Sequence, residues 1–536
     1  MRFEVIKREG LARIGKIKNG ETPKIFKKNE LSIPDEKAMP LDTPIEIIKA
    51  FLESSKHSTL YGLRYPDLRK KSIERGGNDF LAIGNLIDIL KEPKLFVDTI
   101  LDIKKNYMGP LYAPVSSLPI FLPVLVYSGV DLFDDVMIRW SSQNNLLFFP
   151  DGIYSMDEVD ACSCPSCEDG DFYAHNLNVI EGEIELCKYH IKKGDFRIWL
   201  ESRIVRNPLA YSIVKLLDLH AYEIIEKELP VVNSNLCFTT SSALNFPIIK
   251  RWRERVLKRF TSEKPVLLLL PCSAKKPYST SKTHKKIFRL LRDAGNPNFV
   301  QEMILTSPLG LVPREWENIY PAAHYDTSVT RKWDYEEINI IGEMIYQISK
   351  GYDEILSFLP EDYEVLCENA REKGCEIEFI RSEEEFISTI RDMDYDFKEN
   401  RYERYRKIID YQFGTGLSHE FIRDDCMLRG RIPRIYLRDE LICTLNPKTG
   451  LFSLNIAGGE ILNEFDRYWI EINTEDIVGN LINRPAVEDI HEDVRIGDEV
   501  VIRIDGRIFG VGRSLASKLD LPLERGSFVK IRHKAG

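Results

Sequence analysis

A chain of 536 residues exceeds a single domain and, at ~100–200 residues per domain, is expected to hold three or four. Its 74 Lys and Arg against 84 Asp and Glu give a formal net charge of -10, which excludes a general nucleic-acid coat while allowing a local basic patch. A hydrophobic share of 43% suffices for ordinary cores, yet no stretch approaches the ~18 consecutive apolar residues of a membrane span and "MRFEVIKREG" has no apolar leader region, so a cytoplasmic, membrane-free protein is expected.

From residue 1 to 235, short β-like runs ("FEVIK", "ARIGKI", "PVLVY", "LLFFP") are mixed with helical patterns ("PIEIIKAFLESS", "NPLAYSIVKLLDLHAYEIIEKEL"). The alternation predicts an α/β unit, and the last segment, apolar-periodic and uninterrupted, predicts one long helix. From 236 to 400, "FPIIKRWRERVLKRF", "HKKIFRLLRDAG", "YEEINIIGEMIYQISKG" and "EDYEVLCENAREKG" read as helices. Between them "PVLLLLP", "FVQEMILTS", "YDEILSFLP" and "CEIEFIRS" read as strands. That rhythm implies a largely parallel sheet with covered faces, whose functional loops sit at the carboxyl ends of strands. Cys272 is placed at one such end. The Tyr-rich, highly charged stretch 391–414 reads as a linker helix, and 401–463 continues into alternating strands around the turn "NPKTG", a small α+β domain. Residues 464–536 form a β-rich module.

Three cysteines fall within six residues, "CSCPSC": Cys162, Cys164 and Cys167. Three thiolates so close suit a tetrahedral Zn²⁺, with His175, Cys187 and His190 all candidates for the fourth ligand. Such a site is structural, because every ligand comes from protein. In "PCSAKKPYSTSKTH" a cysteine is followed by Lys275 and Lys276, cations that favour the thiolate, and by His284, a group able to move protons. No G-x-x-x-x-G-K-[ST] motif occurs, the G-x-G of "GVGRS" is not set between a strand and a helix, and no radical-cluster cysteine motif is present, so neither ATP nor a redox cofactor is expected.

The N-terminal "FEVIKREGLARIGKIKNGETP", "VYSGVDLFDD" (126–135) and "CSCPSC" with its later histidine resemble archaeal tRNA-guanine transglycosylases, a (β/α)-barrel family with a Cys₃His zinc site. The resemblance assigns the ligands to Cys162, Cys164, Cys167 and His190, and sets Asp131 and Asp134 in the nucleophile region. About 160 residues are too few for most of a full barrel, and the base-binding Asp-Ser-Gly-Gly strand is missing. This region therefore reads as a degenerate, truncated TIM-barrel-like relative kept for folding and tRNA docking, with the two aspartates as cap or loop carboxylates.

Pro271, Cys272, Lys276, Pro277, Tyr278, Ser281 and His284 match the Pro-Cys-x3-Lys-Pro-Tyr-x2-Ser-x2-His signature of archaeosine synthases, and "SPLGLVPREWENIYPAAHYD" (307–326) is similar to that family as well. The resemblance implies action on tRNA carrying 7-cyano-7-deazaguanine in the D-arm. Chemically, a Cys272 thiolate adds to the nitrile carbon, and an amine displaces it to leave an amidine. Lys276 and His284 are the expected catalytic partners. Tyr278, Ser281, Lys275, His324 and Asp326 are the candidate substrate contacts, and Arg314 and Glu315 are read as an internal ion pair. Free lysine is the favoured donor, with glutamine or ammonia as alternatives, and the lysine route requires a radical-SAM lyase partner protein. "RIGDEVVIRIDGRIFGVGRSLASKLDLPLERGSFVKIRHK" looks like a PUA domain, a small RNA-binding β-barrel, in which Arg507, Arg513, Lys530, Arg532 and Lys534 are the phosphate-contact candidates.

The expected architecture is thus α/β and multidomain: a zinc-braced transglycosylase-like domain (1–235), a central α/β sandwich catalytic core (236–400), a small α+β domain (401–463) and a PUA barrel (464–536). Base exchange through Asp131 or Asp134, and non-catalytic tRNA binding, are the rival readings. Monomer and homodimer both stay open.

Overall fold

The computed structural model describes residues 3–18, 20–26, 59–61, 80–83, 86–157, 162–328, 332–398 and 400–535. The expected helix "PIEIIKAFLESS" lies outside them. The chain forms two compact units. One comprises Met1–Asn233, Asp476–Ile496 and Ser514–Lys530, and the other Ser234–Glu475, Gly497–Arg513 and Ile531–Gly536.

The first unit opens on an antiparallel hairpin, Glu4–Glu9 with Ala12–Ile17, which turns at Gly10 with φ +64°. Five parallel strands follow in the order Lys24–Phe26, Leu132–Asp134, Leu111–Ala113, Leu81–Ile83 and Thr59–Tyr61. Parallel neighbours need crossovers, and helices such as Pro93–Asn106 and Phe121–Tyr127 lie between them in the chain. The expectation of a strand at "PVLVY" is corrected here, because those residues are helical. All six residues Leu122–Tyr127 are buried, so no polar face exposes the period, and a short apolar run suits either state. The 22-residue helix Phe172–Lys193 starts at Asp171, whose carboxylate accepts the Ala174 N–H at 2.9 Å, and ends at Gly194 with φ +83°. It puts Ile180, Ile184, Cys187 and Ile191 into the core at helical spacing. The single long helix expected over 207–229 is two, Pro208–His220 and Tyr222–Glu228. The break at Ala221 lets Ile213, Val214 and Leu217 from one piece and Ile225 from the other enter that same core.

The second unit is built on a five-stranded sheet in the order Gly310–Pro313, Val300–Thr306, Val266–Pro271, Glu354–Ser357 and Glu378–Phe379. All neighbours are parallel except Gly310–Pro313, which folds back antiparallel. Val266–Pro271 is buried at every position, as a strand flanked on both sides and covered on both faces must be. From it the chain steps to Val300–Thr306 on one side, then crosses to Glu354–Ser357 on the other. The order therefore reverses between Val266–Pro271 and Glu354–Ser357, and such a switch point opens a crevice at the carboxyl ends of the strands.

Stretch 391–414 is not a linker helix. Among its described residues Arg391 and Asp392 end the helix Glu383–Asp392, and a separate helix runs over Glu403–Phe413, of which Arg406–Phe413 are all buried. Its charges are matched internally: Arg406 pairs with Asp424 at 2.9 Å and Lys407 with Glu315 at 3.1 Å, while the Trp316 indole donates to the Lys407 carbonyl at 2.9 Å. A charged segment reads as solvated from sequence alone, because its partners lie far away in the chain. Four antiparallel strands follow, Met427–Arg429, Arg434–Leu437, Glu440–Leu445 and Phe452–Leu454, and then the helix Ile456–Glu464. In the C-terminal stretch of this unit Trp469–Ile472 pairs parallel with Glu499–Ile504, which pairs antiparallel with Arg507–Ser514. In the first unit Leu481, Ile482 and Asn483 pair antiparallel with Lys530, Val529 and Ser527. No helix among the described residues is long and apolar enough to cross a membrane.

Candidate active site and metal centre

The motif that follows Val266–Pro271 divides into a scaffold and a working part. Ser281 caps the helix Lys282–Asp293 by accepting the His284 N–H at 3.1 Å. His284 then reaches back along its helix, and its Nε2 meets the Pro271 carbonyl at 3.0 Å. Its Nδ1 faces the Arg314 guanidinium at 2.7 Å. Arginine can only donate, so Nδ1 accepts and the ring hydrogen sits on Nε2. Burial first, and the neighbouring Arg314 charge second, push the His284 pKa down to about 4. Tyr278 is wholly buried and bonds through its hydroxyl to Tyr325 at 2.8 Å, and Tyr325 bonds to Thr306 at 2.5 Å.

These contacts correct the expected roles of His284, Tyr278 and Ser281, since none of the three lines the cavity beside Cys272. They hold the loop that presents it. Arg314 and Glu315 do not pair with each other either. Arg314 binds Glu302 at 2.6 Å and Glu317 at 3.0 Å, whereas Glu315 binds Lys407.

Cys272 itself, half-buried, opens into a cavity of about 730 Å³ at the carboxyl ends of the sheet. Its Sγ lies 3.2 Å from the hydroxyl of Tyr363, which follows Glu354–Ser357, the strand across the switch point. Lys276 also lines the cavity, its Nζ 4.0 Å from the centre of the Tyr325 ring. Burial lowers the Lys276 pKa, against the charges of Cys272 and Asp326, which raise it. Asp326 lines the cavity too, while Lys275 is exposed outside its lining and His324 packs beside Tyr320.

Sequence reasoning missed Tyr363, Trp333, Glu337 and Ser307. All four line the cavity, and Ser307 donates its hydroxyl to Glu337. Ser307 and Tyr363 follow the ends of two strands that the pattern had already marked, Val300–Thr306 and Glu354–Ser357. Strand ends were the available signal.

In the first unit one donor atom from each of Cys162, Cys164, Cys167 and His175 lies within 4.8 Å of the others. The His175 Nε2 meets the Phe148 carbonyl at 2.8 Å, which puts its hydrogen there and leaves Nδ1, 3.4 Å from both Cys164 Sγ and Cys167 Sγ, as a lone-pair donor. A backbone carbonyl that fixes the ring tautomer is the usual support for a metal-binding imidazole. Three thiols and one imidazole, all from protein and so arranged, fit a structural metal ion.

The assignment of His190 as the fourth ligand is corrected. It lies fifteen residues beyond His175 on the same helix, about 22 Å at 1.5 Å per residue. There its Nδ1 bonds Asp195 at 2.7 Å and its ring stacks on Trp199. Cys187 is buried in the core and does not join the cluster.

Asp131 and Asp134 are both buried and fully engaged. Asp131 holds Arg13 at 2.7 Å and accepts the Leu111 N–H at 3.0 Å. Asp134 accepts from Tyr112 at 2.6 Å, Val115 at 2.8 Å and Val136 at 2.9 Å. Of the basic C-terminal candidates, Arg532 is committed to Glu499, Arg513 donates to the Gly497 carbonyl at 3.1 Å, and Arg507, Lys530 and Lys534 are exposed, with Lys534 over the Phe509 ring.

A family model described as a domain of unknown function (DUF5591) matches residues 249–392, the segment carrying Cys272 and Tyr363. A second, the patch-forming domain C2 of tRNA-guanine transglycosylase, matches residues 403–468. The chain is 25% identical to a tRNA-guanine(15) transglycosylase of Methanothermobacter thermautotrophicus, over 94% of this chain and 80% of that one. It is 26% identical to an archaeosine synthase of Haloferax volcanii over 99% of both chains. With an archaeosine synthase subunit alpha of Methanosarcina acetivorans it shares 30% identity over 485 residues, 82% of this chain and 77% of that one. At that identity and coverage, the chain belongs to the archaeosine synthase family.

Proposed function

We propose that this chain modifies tRNA by adding a nitrogen donor to the nitrile of 7-cyano-7-deazaguanine at position 15 of the D-loop, on the way to archaeosine. The observation that carries the reading is the Cys272 sulfur, set at the switch point of a parallel sheet and open to a cavity of about 730 Å³, ample for a deazapurine base. The thiolate attacks the nitrile carbon to give a thioimidate, and an amine then displaces the sulfur to leave an amidine. Lys276 is the nearby cation that favours the thiolate.

Free lysine is the favoured donor, with glutamine or ammonia behind it, and a radical-SAM lyase would then split a lysine adduct. Zn²⁺ is the ion proposed for Cys162, Cys164, Cys167 and His175, where it would tie the 162–167 segment to the helix Phe172–Lys193 and supply no chemistry to the reaction. The chain is read as the four domains 1–235, 236–400, 401–463 and 464–536. The last is a PUA module that uses Arg507, Lys530 and Lys534 on tRNA phosphates. Base exchange through Asp131 or Asp134 is disfavoured, because each carboxylate is already saturated by Arg13 or by three donors.

The test is nucleoside mass spectrometry of nitrile-bearing tRNA incubated with the protein and lysine, glutamine or ammonium in parallel. The mass gained names the donor. Cys272→Ser is expected to abolish the gain, and full turnover by that variant would defeat the reading.

A further inference from the structure

We propose that Tyr363 is the acid of this site: its hydroxyl hydrogen rests on the Cys272 sulfur and passes to the substrate nitrogen as the sulfur bonds to carbon. The inference rests on the nitrile reading for its second half only.

Negative charge must develop on the nitrile nitrogen, and a proton donor has to stand beside the sulfur that makes the new bond. His284 cannot serve, since one ring nitrogen donates to Pro271 and the other accepts from Arg314. Among the described residues no histidine lines the cavity. The group that does touch the sulfur is the Tyr363 hydroxyl, at 3.2 Å.

The direction of that contact follows from its surroundings. A thiol is ordinarily more acidic than a phenol, so of the two partners the phenol keeps its hydrogen and presents it to Sγ. The phenol is kept neutral, because burial first and the adjacent Cys272 charge second raise its pKa. Its position is fixed as well. The Trp333 ring packs edge-on against Tyr363 with centroids 5.0 Å apart, and the Trp333 indole donates to the Asp362 carbonyl at 2.8 Å. Cys272 and Tyr363 follow the two strands that flank the switch point, so the sheet itself brings them together.

The step balances. A sulfur lone pair forms the S–C bond, one π pair of the nitrile moves to nitrogen, and that nitrogen takes the Tyr363 hydrogen to become the thioimidate N–H. The phenolate so formed recovers a proton from the incoming amine as its nitrogen bonds to the same carbon. The C–S bond then breaks, returning the thiolate and the neutral phenol and leaving an amidine. No oxidant or reductant is consumed.

The test uses the full chain without tRNA first. The rate of Cys272 alkylation by iodoacetamide is followed against pH by peptide mass spectrometry. A phenol that donates to the sulfur engages one of its lone pairs, so Tyr363→Phe is expected to raise the high-pH plateau of the alkylation rate by about fivefold. In a second measurement, turnover of nitrile-bearing tRNA by the same variant is expected to fall by about 10²-fold or more. Tyr363→Leu gives the same two readouts if the phenylalanine variant does not fold. An unmoved alkylation profile in a folded variant overturns the proposal, whatever becomes of the nitrile chemistry. A moved profile with unchanged turnover overturns the proton transfer and keeps only the resting contact.

Discussion

His284 shows how a single side chain can look catalytic and be structural. A histidine twelve residues after a nucleophilic cysteine invites a proton-transfer role, and nothing in the sequence opposes it. What opposes it is Arg314, contributed from thirty residues further on and itself held by Glu302 and Glu317. Burial first, and the guanidinium against Nδ1 second, make protonation of the ring unfavourable and push its pKa down to about 4. His284→Asn should therefore lower turnover by loosening the loop at Pro271 while leaving the shape of the pH–rate profile between pH 5.5 and 8 as in the wild type. Comparison of the two profiles with nitrile-bearing tRNA checks this. Loss of a limb with a midpoint near 6.5 in the variant would restore His284 as the proton carrier.

At the scale of elements, the helix Phe172–Lys193 does two jobs with adjacent residues. His175 offers Nδ1 to the cysteine cluster, and Asn176 clamps the strand Leu146–Phe149 by accepting from Phe148 at 2.7 Å and donating to Leu146 at 2.8 Å. Affinity for the proposed Zn²⁺ is therefore expected to depend on the first turn of this helix and not on its last. His175→Ala should release most of the bound zinc, read by elemental analysis of the purified protein, and should lower the apparent Tm, whereas His190→Ala should retain the metal. Equal zinc content in both variants would reject the His175 assignment. The three cysteines were legible from sequence because their spacing is local. Their fourth partner was not, since the choice between 175 and 190 depends on where the helix begins. The same division runs through the second unit. The strands of the parallel sheet and Cys272 at the end of one of them follow from apolar runs and punctuation. The contact of Cys272 with Tyr363 spans ninety-one positions and follows only from strand order. "PVLVY" failed for a different reason: burial on all sides erases the period that separates strand from helix.

For the molecule as a whole, an excess of carboxylates does not make acid the main threat to the fold. Burial pushes Glu9 up to about 7, and Asp134 and Asp410 up to about 6. Each takes up its proton more readily when folded than when unfolded. Each therefore contributes stability that is present below its ordinary pKa near 4 and is lost as pH rises through 6 to 7. His284 has the opposite sign: its folded pKa is depressed, so its contribution is present above about 6.5 and lost as pH falls towards 4. These three carboxyls stand against two imidazoles lowered by burial, His284 and His324. Glu9, raised to about 7, tips the balance to mild acid, so the apparent Tm should be higher at pH 5.5 than at pH 7.5. Glu9 is the group to isolate, since its two oxygens accept the Phe196 and Arg197 N–H groups, each at 2.9 Å, at the start of the helix Phe196–Ile204. An uncharged amide at that position cannot ionise, so Glu9→Gln should show a smaller fall in Tm between pH 5.5 and 7.5 than the wild type in paired thermal scans. A variant whose Tm falls as far as the wild type's over that interval would remove Glu9 from the account and leave its burial without a thermodynamic consequence.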